Sequence, residues 1–223
     1  MVAKTNNEAA GRPTAIAADA ATGRAVNLRP SRAVMDACRT LRANLWMATR
    51  EDIASLTLVG AGGADDHIDL ALGLAFTMLD SGPNSVLIVD ADMRGSHLHQ
   101  ALGLGAVAPG VSDIVRGDVE AREAVRTLAP RLHIITAGAT TDDPAALLFQ
   151  SRLSSAIDGL SESHALTIML APPLLDTPDA ALIASQSAGA VLVVRAGRDQ
   201  PERLCAGREA LARAGATLRG SSC

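Results

Sequence analysis

The chain contains 223 residues, of which 48% are hydrophobic but only 1% aromatic, and its formal net charge at pH 7 is −4. This length predicts one domain with an aliphatic core, and the acidic balance argues against nucleic acid or an anionic membrane surface as a partner. Three cysteines at unrelated spacings indicate neither a disulfide framework nor a zinc site, and no apolar run is long enough to cross a bilayer. These features favour a reduced, cytoplasmic compartment without direct membrane insertion.

The amino-terminal part of the chain divides into a tail and a helix. Residues 1–30 are rich in Ala, Thr, Asn and Gly without a sustained period, which predicts a flexible tail. Residues 31–223 are predicted to form a single domain that opens with a helix over 32–48. Ser31 occupies the N-cap position of this helix, and apolar residues recur after it at helical spacing.

Strands and helices alternate through the rest of the chain. Continuous apolar runs, typical of strands that are covered on both faces, predict strands at Leu56–Val59, Val86–Val89, Leu132–Ile135, Leu166–Leu170 and Val191–Val194. Helices are predicted at about 68–81, 119–127, 144–160, 177–187 and 201–214. This alternation predicts an α/β fold with a doubly wound, mostly parallel sheet and helices on both faces.

Two strand ends carry the candidate site, because ligands of such folds bind beyond the carboxyl ends of the strands. The second predicted strand runs into residues 90–94 (DADMR), and the first is followed by residues 60–68 (GAGGADDHI). A phosphate-binding loop requires glycine N–H groups around the phosphates, then a Lys, then a Ser or Thr hydroxyl for magnesium. Here acidic residues follow the glycines, and the lysine is missing.

Four segments match one family pattern in their order and spacing. They are residues 36–42 (DACRTLR), 90–94 (DADMR), 110–114 (GVSDI) and 143–148 (DPAALL), the last preceded by Ala137 and Gly138. In that order they resemble the E-x-x-R-x-x-R helix, the second Walker motif, the G-L-S-D-x-L-x-G segment and the A-G-x-x-x-x-N-P-x-E-L-L segment of the bacterial tyrosine kinases (BY-kinases) of capsule and exopolysaccharide assembly. The resemblance covers about residues 32–220 and implies the deviant-Walker P-loop fold.

The resemblance also implies roles for individual residues. Asp90 and Asp92 correspond to the catalytic aspartates of the second Walker motif. The cofactor-binding positions of the phosphate loop fall on Gly62, Gly63, Asp66, His67 and Ile68. Asp36, Arg39 and Arg42 correspond to the helix that mediates ring assembly, here residues 31–50, and predict a homo-oligomer. Ordinary surface charge is the alternative interpretation of the two arginines.

Departures from the family pattern concern the nucleotide site. The Lys is replaced by His67, the magnesium hydroxyl by Ile68, and the Asp of the third Walker segment by Leu170. The acidic loop would repel a triphosphate, and magnesium would lose oxygen ligands. We therefore expect no cofactor and no metal, although a new metal site formed by Asp65, Asp66, His67 and Asp69 is an alternative. Asp90 and Asp92 are either catalytic by inheritance or strand-end acids that cap the next segment.

These patterns predict a catalytically inactive BY-kinase-like protein that regulates or scaffolds exopolysaccharide polymerisation and export. The composition contains no tyrosine, so the tail tyrosines that BY-kinases phosphorylate have no counterpart in these residues. By the resemblance, its partner would be an inner-membrane polysaccharide co-polymerase that controls chain length, with the chain cytoplasmic and peripheral at that membrane. One alternative is an active tyrosine kinase that uses ATP and magnesium in a divergent site. Another is a spatial regulator like the partitioning ATPases.

Overall fold

The computed structural model describes residues 16–18, 25–49, 53–61, 66–104, 109–141, 143–149, 152–194 and 199–219. Its strands are β1 (Ile16–Ala18), β2 (Ala25–Asn27), β3 (Ser55–Gly60), β4 (Val86–Asp90), β5 (Arg126–Ala129), β6 (Leu132–Ile135), β7 (Leu166–Leu170) and β8 (Ala190–Val193). Six of them form one sheet in the order β5-β6-β4-β7-β3-β8. The pairs within it are parallel except that β5 runs antiparallel to β6.

Helices cover both faces of this sheet. They are α1 (Arg32–Thr49), α2 (Asp66–Leu79), α3 (His97–Ala101), α4 (Val111–Arg116), α5 (Pro144–Leu148), α6 (Arg152–Ser161), α7 (Asp179–Ser185) and α8 (Pro201–Arg213). Along β4, Ile88 packs into the cluster that contains α1 and α2, while Leu87 and Val89 pack into the cluster that contains α4, α6 and α7. Successive strand residues thus enter opposite cores, which confirms the predicted doubly wound, mostly parallel α/β fold.

Helix α1 begins where its sequence predicts. The backbone N–H of Val34 donates to the Ser31 hydroxyl at 3.4 Å, and Met35, Cys38 and Leu45 are buried at helical spacing. Cys38 lies so close to Gly73 of α2 that a β-carbon added there would overlap its sulfur. Burial raises the pKa of the Cys38 thiol to about 11, as expected for a core cysteine.

Arginines from other segments surround the carboxyl end of α2, whose last turn contains no basic residue of its own. Arg42 of α1 donates to the carbonyl of Thr77 at 2.5 Å and to the Ser81 hydroxyl. Arg131 donates to the carbonyls of Leu79 at 3.3 Å and Asn84 at 2.9 Å. These cations satisfy carbonyls that a helix end leaves unpaired, so Arg42 is held within its own chain.

The structure corrects several predicted elements. The helix predicted over 119–127 is a 3₁₀ turn (Ala121–Ala124) followed by β5, because this segment turns at Arg131 (φ 64°) to pair with β6. The helix predicted over 144–160 is two helices, α5 and α6. Helices α3 and α4 are too short to show a periodic pattern and were not predicted. Within the range predicted as a tail, β1 and β2 form an antiparallel pair and Leu28 is buried.

Candidate functional site

The candidate site lies where β3, β7 and β4 end side by side. Gly62 and Gly63 lie outside the described residues, as does the side chain of Asp66, the first residue of α2. His67 and Ile68, in the first turn of α2, are both buried. Asp90 and Asp92 follow β4 at the same edge of the sheet, so the parallel topology brings the two predicted halves of the site to one edge.

Both carboxylate oxygens of Asp90 accept hydrogen bonds from the backbone. The N–H of Asp92 donates to Oδ1 at 3.1 Å, and the N–H of Leu98 donates to Oδ2 at 3.0 Å. Leu98 lies in the first turn of α3, so Asp90 supplies an acceptor that the start of this helix needs. Asp90 therefore caps the segment that follows its own strand.

Burial sets the charge state of Asp90, which is only 2% exposed. Desolvation raises the pKa of its carboxyl to about 7; the two amide bonds oppose this shift and the nearby charge of Asp92 adds to it. Its register partner on β7 is Leu170, which is 1% exposed. An apolar side chain thus stands beside Asp90 at the position where the family pattern has an aspartate.

Asp92 stabilises the turn between β4 and α3. Its Oδ1 accepts the backbone N–H groups of Arg94 at 3.1 Å and Gly95 at 3.0 Å, and its Oδ2 lies 3.7 Å from His97 Nε2. A β-carbon at Gly95 would overlap the His97 ring and lie 2.8 Å from Asp92 Oδ2. The two aspartates together therefore hold residues 90–98 in one compact conformation.

An ion pair that the sequence analysis missed ties this segment to α7. Arg94 Nε donates to Asp179 Oδ2 at 2.6 Å, and Arg94 Nη2 donates to Oδ1 at 3.4 Å. The Asp179 side chain is 2% exposed, whereas that of Arg94 is 38% exposed. In sequence, Asp179 is one more acidic residue in the first turn of a helix, and nothing in that pattern announces its partner 85 positions away.

Two of the four family segments pack against each other at the end of β6. The N–H groups of Val111 and Ser112 donate at 2.9 Å to the carbonyls of Thr136 and Ala137. A β-carbon at Gly110 would overlap the backbone of Thr136 and Gly138. The close approach of the two backbones therefore explains the glycine in the segment over 110–114.

A basic side chain reaches the start of the phosphate-loop segment from α8. Arg203 Nε donates to the carbonyl of Ala61 at 3.3 Å, and its Nη2 lies 3.7 Å from Asp176. Across the described ranges, no group of three or more His, Cys, Asp or Glu side chains is arranged to hold a metal ion. Asp65 and the side chain of Asp66 lie outside those ranges, so the alternative metal site stays a prediction.

The residues assigned to the assembly helix separate into two groups. Asp36 and Arg39 form an ion pair on the exposed side of α1. Arg42 instead turns towards the end of α2. No helix in the part of the chain that the structure describes is long and apolar enough to span a membrane.

The chain has relatives among the bacterial tyrosine kinases. No family model matches it. EpsB of Ralstonia nicotianae, assigned by name to the tyrosine-protein kinases, is 31% identical over 166 residues, which are 72% of this chain and 21% of that protein. The tyrosine-protein kinase CpsD of Streptococcus agalactiae is 26% identical over 197 residues, covering 86% of this chain and 84% of CpsD. The chain thus spans about a fifth of the length of EpsB but most of CpsD.

Solved structures agree with this assignment. The kinase domain of the Escherichia coli tyrosine kinase ETK superposes with a TM-score of 0.75 at 25% identity, covering 83% of this chain and 73% of that domain. P-loop ATPases, including a MinD protein solved with Mg-ADP, are also structural neighbours at lower identity and show the fold alone. By sequence and by fold, the chain belongs to the bacterial tyrosine kinase (BY-kinase) family.

Proposed function

We propose that this chain is a catalytically inactive BY-kinase homologue that acts as a cytoplasmic regulator or scaffold of exopolysaccharide polymerisation and export. The side chains that replace the family's phosphate and magnesium groups carry the proposal. His67 stands where the family pattern has a Lys, and the buried side chains of Ile68 and Leu170 stand where it has oxygen ligands. Leu170 lies beside Asp90 in the register of β4 and β7.

Several groups that bind magnesium and nucleotide in the family pattern are replaced at this edge. Magnesium takes oxygen ligands in near-octahedral geometry, and Ile68 and Leu170 supply none at the two positions where the family pattern has oxygen. The Lys that offsets phosphate charge in the family pattern is replaced by His67, whose side chain is buried. Phosphoryl transfer depends on positioning the phosphates and stabilising their charge, and the missing Lys and oxygen ligands would supply both.

The biological setting in this proposal comes from the family resemblance. The partner would be an inner-membrane polysaccharide co-polymerase, and the chain would be peripheral to that membrane through this contact. Homo-oligomers would form through the exposed pair of Asp36 and Arg39 on α1. Arg42 would contribute indirectly, because it fixes α1 against α2 within the chain.

Calorimetric titration with Mg-ATP and with Mg-ADP tests the loss of nucleotide binding. We expect no heat from the native chain at submillimolar nucleotide. A variant that combines Asp66→Gly, His67→Lys, Ile68→Thr and Leu170→Asp serves as the matched comparison, since it restores the family residues on the same scaffold. Micromolar binding by the native chain would overturn the proposal.

An active kinase with a divergent site is the second candidate. Asp90 and Asp92 favour it, because both remain at the carboxyl edge where ligands of this fold bind. This candidate predicts turnover of radiolabelled ATP, with transfer to a tyrosine of another protein, that disappears in Asp90→Ala. Turnover that persists in Asp90→Ala, or no turnover with any partner, would eliminate it.

A further inference from the structure

Two histidines face each other at the amino edge of the sheet, the edge opposite to Asp90. His133 is the second residue of β6, and His164 lies in the connection between α6 and β7. His133 Nδ1 lies 2.9 Å from His164 Nε2, and the planes of the two rings are nearly perpendicular, at 81°. The residues are 31 positions apart, so the fold rather than the local sequence brings them together.

The positions of the protons in this pair follow from one carbonyl group. His164 Nδ1 lies 2.8 Å from the carbonyl oxygen of Leu160, which can only accept, so this nitrogen carries a proton. In the neutral ring, Nε2 then has a lone pair and accepts from the Nδ1–H of His133. A single proton therefore separates two imidazole nitrogens, and a neutral imidazole nitrogen is a common metal ligand.

The carbonyl of Leu160 occupies a position typical of the outer shell of a metal site. A metal-bound histidine usually donates its other ring N–H to a carbonyl or carboxylate, which fixes the ring and makes the ligand nitrogen more basic. His164 already makes this bond, and the Ser163 hydroxyl lies 3.2 Å from the same nitrogen. His164 is thus held with Nε2 directed at His133.

A small movement would open the contact enough for a metal ion. Zinc binds imidazole nitrogen in tetrahedral geometry at a distance that places two such ligands about 3.3 Å apart. Compared with the present 2.9 Å, the rings would separate by about 0.4 Å, and His133 would carry its proton on Nε2 instead of Nδ1. Both histidines are half-buried, and Ser163 and Ala165 beside His164 are exposed, so water and ions can reach the pair.

We infer that His133 and His164 supply the protein ligands of a site for a divalent transition-metal ion such as Zn²⁺, with water in the remaining positions. Imidazole suits zinc, copper and nickel, whereas magnesium takes oxygen ligands, so this site differs in kind from one that serves a nucleotide. No third His, Cys, Asp or Glu among the described residues joins the pair, so the site is open and the ion exchangeable. The bound ion would tie β6 to the connection between α6 and β7. The inference does not depend on whether Asp90 is catalytic, because the two sites lie at opposite edges of the sheet.

Nitrogen NMR of the full chain, labelled with ¹⁵N at histidine, tests the inference on the native sequence. The chain contains five histidines. Zinc chloride should shift the ring nitrogens of two of them, with saturation at one ion per chain. Spectra of His133→Gln and His164→Gln assign those two signals. Shifts in neither ring, or in only one of the two, would overturn the inference.

Calorimetric titration with zinc chloride measures what each ring contributes. Loss of an outer-shell partner alone costs about 10- to 100-fold in metal affinity, so His133→Gln and His164→Gln should each bind zinc at least about tenfold more weakly. His99→Gln is the matched control, since His99 is also half-buried and its Nδ1 lies 3.0 Å from the Ser96 hydroxyl rather than from another imidazole. It should bind zinc like the native chain. Native affinity in either of the first two variants, or equal losses in all three, would show adventitious binding and refute the site.

Thermal unfolding gives an independent readout, because an ion that binds only the folded state raises the unfolding temperature. Saturating zinc should raise this temperature for the native chain and for His99→Gln. The increase should be absent in His133→Gln and His164→Gln. An unfolding temperature of the native chain that does not respond to zinc would contradict the inference.

Discussion

Ionisation of Asp90 should make the stability of this fold fall as the pH rises. The pKa of its carboxyl is raised from 3.8 to about 7 in the folded protein. A raised pKa means that the folded state binds the proton more tightly than the unfolded state. The resulting stabilisation is complete below about pH 4, the pKa of the unfolded chain, and is lost as the pH rises through 7.

The size of this effect follows from the difference between the two pKa values. Each tenfold change in proton affinity is worth about 1.4 kcal/mol, so the full effect is about 4 kcal/mol, of which about 2.5 kcal/mol falls between pH 5 and pH 8. Asp90→Asn removes the ionisation. The amide Nδ2 of the variant would face the N–H of Leu98 and lower the stability of the folded state, but this loss does not depend on pH.

Urea unfolding of the native chain and of Asp90→Asn, followed by Trp46 emission at several pH values, measures this directly. The stability of the native chain relative to the variant should fall by about 2.5 kcal/mol from pH 5 to pH 8. Asp158→Asn, at an exposed carboxylate of α6, should show no such trend. A relative stability that is constant or rises with pH would refute the reasoning, and so would a magnesium-dependent stabilisation of the native chain that Asp90→Asn abolishes.

Three further predictions concern other contacts. Burial and the neighbouring His164 lower the pKa of His133, so stability should decline as the pH falls below about 6.5, and His133→Gln should remove that decline in urea unfolding. Arg94→Ala leaves the carboxylate of Asp179 buried without its partner and should lower the free energy of unfolding by about 2 kcal/mol, less than for a fully buried pair because the Arg94 side chain is 38% exposed. Adding Asp179→Asn should restore part of this stability. A double variant no more stable than Arg94→Ala would contradict the prediction. Gly110→Ala should lower the free energy of unfolding, measured by thermal unfolding, by about 3 kcal/mol or more, because the added β-carbon would overlap backbone atoms. Gly159→Ala in α6 has open space around the added β-carbon and should be neutral or stabilising. Equal effects of the two substitutions would contradict the overlap at Gly110.

Local sequence was sufficient to predict the elements in which successive side chains are all buried in apolar layers. The central strands are runs such as Val86–Val89, in which each residue meets an apolar layer on its own side, so the run itself predicts the strand. Strand–helix alternation then predicted which edge holds Asp90, because parallel strands end together. In contrast, β5 looked helical, since its antiparallel pairing depends on the left-handed turn at Arg131.

The chemistry of the site depended on contacts between distant segments. The pattern of α1 places Arg39 and Arg42 near one another, but only the carboxyl end of α2 decides that Arg42 turns inward. The sequence shows that Asp90 ends a strand and that Leu170 replaces an acid. Its burial, its bond to the N–H of Leu98 and its raised pKa arise because β7 and α3 enclose it. Charge state is a property of the surroundings, and for Asp90 these include α3 and the distant strand β7.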